Sequence, residues 1–233
     1  MRRSLLPCVE IEPAGKADRA VIWLHGLGAD GHDFEPIVPH LGVDPALGVR
    51  FVFPHAPRRA VTVNMGMVMP AWYDVRELAL RRDIDEAGVR ESAAQIESLI
   101  ERECERGVAP GRILLAGFSQ GGAIALHVAL RHALPLAGII ALSTYLVCQD
   151  SLSAEASAAN RDVPLFQAHG SLDPLVLPQF GEQSRDRLIE LGYNVEWHTY
   201  PMGHEVHPDE IRDLGRWING VLSVDPPPGS QAS

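Results

Sequence analysis

Residues 113–122 constrain the fold of this chain more than any other stretch. Four apolar residues at 113–116 run without a break, which is typical of a strand that is buried on both faces in a parallel sheet. The motif G-x-S-x-G follows with Ser119 at its centre, and the apolar-rich segment 123–130 then predicts a helix. A strand, a tight turn that carries a serine and a helix form the context that the nucleophile-elbow motif requires.

The glycines of this motif have a steric purpose. In so sharp a turn, side chains at positions 117 and 121 would collide with neighbouring backbone. Ser119 is predicted to be strained, with its hydroxyl above the sheet. The backbone amide of Gln120, at the helix start, points the same way and is predicted to stabilise an oxyanion. The alternative is a glycine-rich turn with an ordinary serine.

The composition predicts one domain of ordinary size. The chain has 233 residues, 46% of them hydrophobic, and a formal net charge of -10. We expect a single domain over residues 1–224 and a disordered polar tail over 225–233. The acidic balance and the scattered basic residues argue against a nucleic-acid partner. Three cysteines are too few for a disulfide framework or a metal site. The chain has no apolar run of signal-peptide or membrane-span length, so a cytoplasmic protein without a transmembrane segment is predicted.

A second glycine-rich loop follows the buried strand predicted at 20–24. It reads His25-Gly26-Leu27-Gly28. A strand followed by H-G-x-G is where hydrolases with a nucleophile elbow place their other oxyanion donor, which here would be the amide of Leu27. The alternative is a simple loop between strand and helix. His25 is a rival catalytic base, although a histidine at a strand end before glycine more often holds the loop by hydrogen bonds.

Residues 55–82 show no sustained periodicity, and connections of this length are usually functional loops. The segment carries Met65, Met69, Trp72 and Tyr73, which are predicted to bind the acyl part of a substrate. Trp72 and Tyr73 are favoured as the pocket wall. These residues would serve equally to pack the loop onto the core, and the hydrophobic part of the loop would also suit a homodimer contact.

Strands and helices alternate from residue 20 onward. This pattern predicts a mostly parallel central sheet with helices on both faces, the architecture of the α/β-hydrolase fold. Right-handed crossovers place the strand-to-helix loops at one edge of such a sheet. Ser119, Asp173 and His204 each follow a predicted strand, so their side chains are expected to converge.

These three residues occur in the order serine, aspartate, histidine, which is the order of α/β-hydrolases. His204 would take the proton from Ser119, and Asp173 would fix the tautomer of the imidazole. A purely structural interpretation is open for both partners, because Asp173 precedes proline in a turn-favouring pair and His204 would also suit a surface loop. His169 and His207 are rival bases, the first shaping the Asp173 loop and the second lying at a helix start.

Several short motifs closely resemble those of the phospholipase/carboxylesterase family. They are H-G-L-G at 25–28, P-H-A-P at 54–57, M-V-M at 67–69, A-W-Y-D at 71–74, G-F-S-Q-G-G at 117–122, H-G-x-x-D-P-x-V at 169–176 and G-H at 203–204. The resemblance runs from about residue 20 to residue 222. It implies a small hydrolase of carboxylic esters or thioesters that has no large cap domain and needs no metal or organic cofactor. By position it implies Ser119, Asp173 and His204 as the triad, with the amides of Leu27 and Gln120 as the oxyanion hole.

The leading functional prediction is a carboxylesterase that cleaves esters of small to medium apolar acyl groups through an acyl-enzyme at Ser119. An acyl-protein thioesterase or lysophospholipase for longer chains uses the same chemistry, so the substrate is a small ester or thioester, an acylated protein or a lysophospholipid. A non-enzymatic binding module would be expected to carry a broken triad, and none is seen in the sequence. A serine peptidase remains open, although no segment suggests an extended peptide groove.

Overall fold

A twisted sheet of seven strands organises the computed structural model, which describes residues 5–76 and 84–224. The strand order is β1-β3-β2-β6-β7-β8-β9; β1 is antiparallel to β3 and all other neighbours are parallel. A separate hairpin pairs β4 with β5. The strands are β1 (Cys8–Ile11), β2 (Arg19–Leu24), β3 (Val49–Pro54), β4 (Arg58–Val61), β5 (Met67–Pro70), β6 (Ile113–Phe118), β7 (Gly138–Leu142), β8 (Leu165–Gly170) and β9 (Val195–Tyr200).

Helices cover both faces of the sheet. Helices α2 and α3 supply much of one hydrophobic core, whereas α1 and α6 close the other core on the opposite face. The helices are α1 (Val38–Leu41), α2 (Glu86–Glu105), α3 (Gln120–Ala129), α4 (Gln149–Glu155), α5 (Pro178–Glu190) and α6 (Pro208–Leu222). The continuous apolar strands β2, β3, β6, β7 and β8 are buried on both faces, which explains why they lack alternation. The predicted α/β architecture is confirmed. No helix within 5–76 or 84–224 is long and apolar enough to cross a membrane.

Two segments that we expected to lack regular structure contain short elements. The predicted loop 55–82 includes the hairpin β4–β5, whose turn places Met65 and Gly66 at positive φ. The Ala/Ser-rich segment 149–161, whose sequence we interpret as a polar connector, begins with α4, in which Leu152 is the buried residue. One buried side chain in two turns gives no periodic pattern from which a helix is predicted. Residues 77–83 of that predicted loop, and the predicted tail 225–233, lie outside the described residues.

The sheet order brings the predicted site residues together in pairs. Strands β2 and β6 are neighbours, with Leu24 opposite Gly117, so the loops that carry Leu27 and Ser119 start side by side. Strands β8 and β9 are also neighbours, and they precede Asp173 and His204. All four loops leave the sheet at the carboxyl ends of parallel strands, which is the edge where open α/β sheets bind ligands.

Candidate active site

The turn between β6 and α3 has the strained geometry that the motif predicts. Ser119 has φ 54° and ψ -121°, and its amide donates a hydrogen bond to the carbonyl of Leu142 at 2.8 Å. A Cβ atom added at Gly117 would lie 2.3 Å from the carbonyl oxygen of Gly121, and one at Gly121 would lie 2.4 Å from the carbonyl oxygen of Leu24. Only glycine fits at both positions, because these contacts are with backbone that has no room to move.

Asp173 and His204 form a hydrogen-bonded pair. The Nδ1 atom of His204 lies 2.7 Å from Oδ2 of Asp173, and Oδ1 of the same carboxylate accepts the amides of Leu175 and Val176, each at 2.9 Å. Burial by itself would raise the pKa of Asp173, but the hydrogen bonds from His204 and from the two amides outweigh it and hold the pKa below its usual value. Asp173 is therefore a carboxylate at neutral pH, and its partner nitrogen is the donor.

The imidazole of His204 lies beside the serine turn. Its ring centroid is 4.7 Å from that of Phe118, the residue that precedes Ser119. The two loops that carry the acid and the histidine are themselves in close contact, since a Cβ atom at Gly170 would lie 2.3 Å from the carbonyl oxygen of Gly203. The structure thus brings all three predicted triad residues to one end of the sheet.

Two of the three rival histidines, His169 and His207, have structural partners in the adjoining turns. The Nε2 atom of buried His169 lies 2.8 Å from the carbonyl oxygen of Val176, and burial lowers its pKa. His207 caps α6, with its Nδ1 accepting the amide of Asp209 at 3.2 Å. His169 supports the turn after Asp173, and His207 supports the turn after His204.

The amides of the two predicted oxyanion donors, Leu27 and Gln120, have no acceptor in the described part of the chain. Gln120 is the first residue of α3, and the first N–H groups of a helix have no partner within it. Leu27 lies in the half-buried loop after β2. Within residues 5–76 and 84–224, no acceptor receives a hydrogen bond from either amide. Both N–H groups are therefore available to a ligand.

Trp72 and Tyr73 lie in the core, as in the packing alternative, and not on an open pocket wall. The indole Nε1 of Trp72 donates to the carbonyl of His25 at 2.9 Å. The hydroxyl of Tyr73 pairs with that of Tyr145 at 2.7 Å. Each polar atom is buried and bonded, so these side chains fix the position of their segment. Their role as substrate contacts stays a prediction.

The two predicted methionines differ in position. Met65, at the turn of the β4–β5 hairpin, is 94% exposed. Met69 is half-buried, its Sδ accepts the side-chain amide of Asn64 at 3.2 Å, and a Cβ atom at Gly28 would lie 3.8 Å from that sulfur. Of the two methionines, Met69 is thus the one that lies against the loop of the predicted oxyanion donor Leu27.

The side chain of Gln120 has a role that the sequence did not reveal to us. Its Oε1 accepts the amide of Trp72 and its Nε2 donates to the carbonyl of Tyr73, both at 2.7 Å. This two-point contact resembles the pairing of one backbone with another and fastens the segment after the hairpin to the serine turn. The signal was a polar residue at the start of a mostly apolar buried helix, since a buried amide requires partners.

A buried carboxyl lies below the His204 loop. Glu210, in the first turn of α6, has no exposed surface, and its Oε2 accepts the amide of His207 at 3.3 Å. Burial, with repulsion from Asp213, raises its pKa from 4.5 to about 8. Below pH 4.5 the group is protonated in the folded and the unfolded chain; between 4.5 and 8 only the folded chain keeps the proton. Raising the pH through this window therefore removes stability.

We expect Glu210→Gln to abolish this part of the pH dependence. The free energy of unfolding of the variant, relative to the parent protein, should rise by on the order of 4 kcal/mol between about pH 5 and about pH 9. Urea unfolding at several pH values measures it. Asp209→Asn is the matched control, because the Asp209 side chain is exposed in the same helical turn. A constant difference between Glu210→Gln and the parent protein would show that Glu210 ionises normally.

The sheet and this arrangement of side chains define an α/β hydrolase with a serine at a nucleophile elbow. A sequence profile of the phospholipase/carboxylesterase family matches residues 7–222, and the chain belongs to that family.

Individual relatives cover most of the chain. It is 40% identical over 214 residues to acyl-protein thioesterase 1 of Neurospora crassa, covering 88% of this chain and 87% of the relative. It is 38% identical to acyl-protein thioesterase 1 of Yarrowia lipolytica, covering 91% and 96%. The crystal structure of Zea mays acyl-protein thioesterase 2 superposes with a TM-score of 0.82 at 29% identity, covering 93% of this chain and 99% of that one.

Proposed function

We propose that this protein hydrolyses carboxylic esters through an acyl-enzyme at Ser119, with His204 as the general base and Asp173 as its orienting acid. The observation that carries the proposal is the 2.7 Å hydrogen bond between His204 and the buried Asp173 carboxylate, at the same end of the sheet as the strained Ser119 turn. Family membership supports it, because the family is described by phospholipase and carboxylesterase activities.

The reaction proceeds in two halves. The hydroxyl oxygen of Ser119 attacks the acyl carbonyl while Nε2 of His204 takes the hydroxyl proton. The amides of Leu27 and Gln120 donate to the oxyanion of the tetrahedral intermediate. His204 returns the proton to the departing alkoxide or thiolate, and the acyl group remains on Ser119. Water then attacks this ester, gives its proton to His204 and releases the carboxylic acid as the serine regains its proton.

A second candidate is an acyl-protein thioesterase or a lysophospholipase, which removes long acyl chains from proteins or from lysophospholipids. The relatives named acyl-protein thioesterase favour it. So do two apolar side chains of the Asp173 loop, Leu172 and Leu175, which are 70% and 63% exposed. Apolar side chains that face water beside the acid–base pair provide a surface for an acyl chain that is too long for a small pocket.

A chain-length series separates the two candidates. We expect p-nitrophenyl esters from acetate to palmitate, and matching acyl-CoA thioesters, to be hydrolysed by the parent protein and not by Ser119→Ala. A maximum at short esters identifies the carboxylesterase, and a rise towards long chains or thioesters identifies the thioesterase.

One variant tests the contribution of the exposed leucines. Leu175→Ser should lower kcat/KM for palmitate by about tenfold, through lost apolar contact, and leave acetate unchanged. Ile189→Ser is the matched control, because Ile189 is an exposed apolar residue of α5. Equal losses of kcat/KM for the palmitate and acetate esters would show that the Asp173 loop does not contact the acyl chain of the substrate.

Location and partners follow as lesser proposals. We infer a cytoplasmic enzyme, since Cys8, Cys104 and Cys148 are free thiols. Its partners are the ester or thioester substrates, without nucleic acid. A homodimer through the exposed part of the β4–β5 hairpin is the remaining proposal, and light scattering of the purified protein tests it.

A further inference from the structure

His25 is buried at the end of β2, and both ring nitrogens have a partner. Its Nε2 accepts the backbone amide of Ala56 at 3.1 Å. Its Nδ1 lies 2.7 Å from the carbonyl oxygen of Gly26. Ala56 follows the end of β3, so the ring bridges the loops that leave two neighbouring strands.

These contacts fix the protonation state of the ring. A backbone N–H only donates, so Nε2 must be the acceptor and carries no proton. The proton of the neutral imidazole is then on Nδ1, where it donates to Gly26. Burial lowers the pKa of His25, which favours the neutral ring.

The bond to Gly26 has a consequence for the next amide. A trans peptide is planar, so its C=O and N–H point in opposite directions. The carbonyl of Gly26 is held towards the ring of His25 and also accepts the amide of Ala29 at 3.3 Å. The N–H on the other side of this peptide is that of Leu27, which must point away from the His25 ring and has no acceptor among residues 5–76 and 84–224. This peptide lies against the nucleophile, because a Cβ atom at Gly26 would be 3.5 Å from Cβ of Ser119.

We propose that His25 is a positioning residue that sets the orientation of the oxyanion donor Leu27 by holding the carbonyl of Gly26. The inference rests on the proposed function of Ser119. It assigns to His25 a contribution to transition-state stabilisation without contact with the substrate.

Other buried side chains hold His25 itself. The indole of Trp72 donates to the His25 carbonyl, and the amide of Trp72 donates to the side chain of Gln120. The carbonyl of His25 also lies against the serine turn, 2.5 Å from where a Cβ atom of Gly121 would be. The segments that supply the two oxyanion donors are thus connected by a continuous set of short contacts.

Two substitutions of His25 separate its two hydrogen bonds. The side-chain amide of Asn occupies the place of Nδ1 and can donate to Gly26, whereas that of Gln reaches the place of Nε2 and can accept from Ala56. We expect His25→Gln to lower kcat/KM by about 100-fold, the usual effect of losing one oxyanion donor, with KM changed little. His25→Asn should stay within about tenfold of the parent protein.

The affinity for a transition-state analogue distinguishes a positioning role from a purely structural one, because a purely structural role would leave it unchanged. A trifluoromethyl ketone forms a tetrahedral oxyanion with the serine, and its Ki should rise by the same factor as kcat/KM falls across the variants. His127→Gln is the matched control, because His127 is also buried and its Nδ1 has no hydrogen-bond partner in the described part of the chain. Equal losses in the Asn and Gln variants, or a greater loss for Asn, would overturn the proposal.

The parent protein offers a test that no folding defect can obscure. With 15N-labelled histidine, the His25 ring should show the Nδ1–H tautomer, and an Nε2–H tautomer would refute the assignment. Failure of this inference can be distinguished from failure of the proposed function. If the proposed function were wrong, Ser119→Ala would still hydrolyse the ester. If only this inference were wrong, that variant would be inactive.

Discussion

Replacing Ser119 by alanine is expected to lower kcat/KM for an activated ester by about 10⁵-fold or more, because loss of a serine nucleophile removes the covalent route entirely. The positive φ of the residue is set by the backbone of the turn, and alanine replaces serine with one atom fewer. The melting temperature should therefore change by no more than about 3 °C. Spectrophotometric assay and thermal unfolding of the same preparation measure both quantities.

Ser143 provides a matched control within the same sheet. It directly follows β7, is buried, and has a positive φ of 45°, so it shares the positive φ of the candidate nucleophile. We expect Ser143→Ala to keep activity within about tenfold of the parent protein. Strong turnover by Ser119→Ala together with an inactive Ser143→Ala would identify Ser143, after the neighbouring strand β7, as the nucleophile.

The second large effect is expected for Asp173→Asn. The Oδ1 atom of Asn would still accept the amides of Leu175 and Val176, so the loop should keep its shape. Its Nδ2 would replace Oδ2 and donate to Nδ1 of His204, which would force the imidazole proton onto Nε2. In that tautomer His204 cannot take a proton from Ser119, and kcat should fall by about 10⁴-fold, as in other triads.

The control for this variant is Asp213→Asn. The Asp213 carboxylate accepts the hydroxyl of Tyr200 at 2.8 Å, close to the His204 loop, and Asn keeps an acceptor there. Its kcat should stay within about tenfold. Retention of activity by Asp173→Asn in pH–rate measurements would show that another group orients His204, and the buried His169, which lies 3.6 Å from Oδ2 of Asp173, would be examined next.

The sequence predicted the central strands and the convergence of the triad residues because both depend on local patterns. A run of apolar residues followed by glycine identifies a buried strand and its exit. Ser119 follows such a run, Asp173 follows the mostly apolar strand β8, and His204 follows the more alternating strand β9. Parallel crossovers bring these exits to one edge. The final helix was also predictable, since Pro208 starts it and its apolar residues repeat at helical spacing.

Other features depend on contacts between distant residues and left no local pattern. Trp72 and Tyr73 were favoured as pocket residues because they are large and apolar, and that property suits a core equally well. The bond from Trp72 to His25 joins residues 47 positions apart in the chain. Gln120 was predicted for its backbone amide alone, although its side chain also holds the Trp72 segment. The hairpin β4–β5 pairs two strands of four residues, and β5 carries the exposed Met67 and the half-buried Met69, a composition that does not distinguish a strand from a loop.

Because β9 lies at the edge of the sheet, we expect the site to lose its geometry at a lower temperature than the fold as a whole. Among the described residues this strand is at the end of the sheet order and pairs with β8 alone, whereas the serine turn follows β6, which lies between two neighbours. Edge strands open locally at lower free energy than central ones. On heating, His204 would leave its position before Ser119 does. Loss of turnover would therefore precede unfolding of the sheet, and the remaining activity would measure how far the edge strand β9 has frayed.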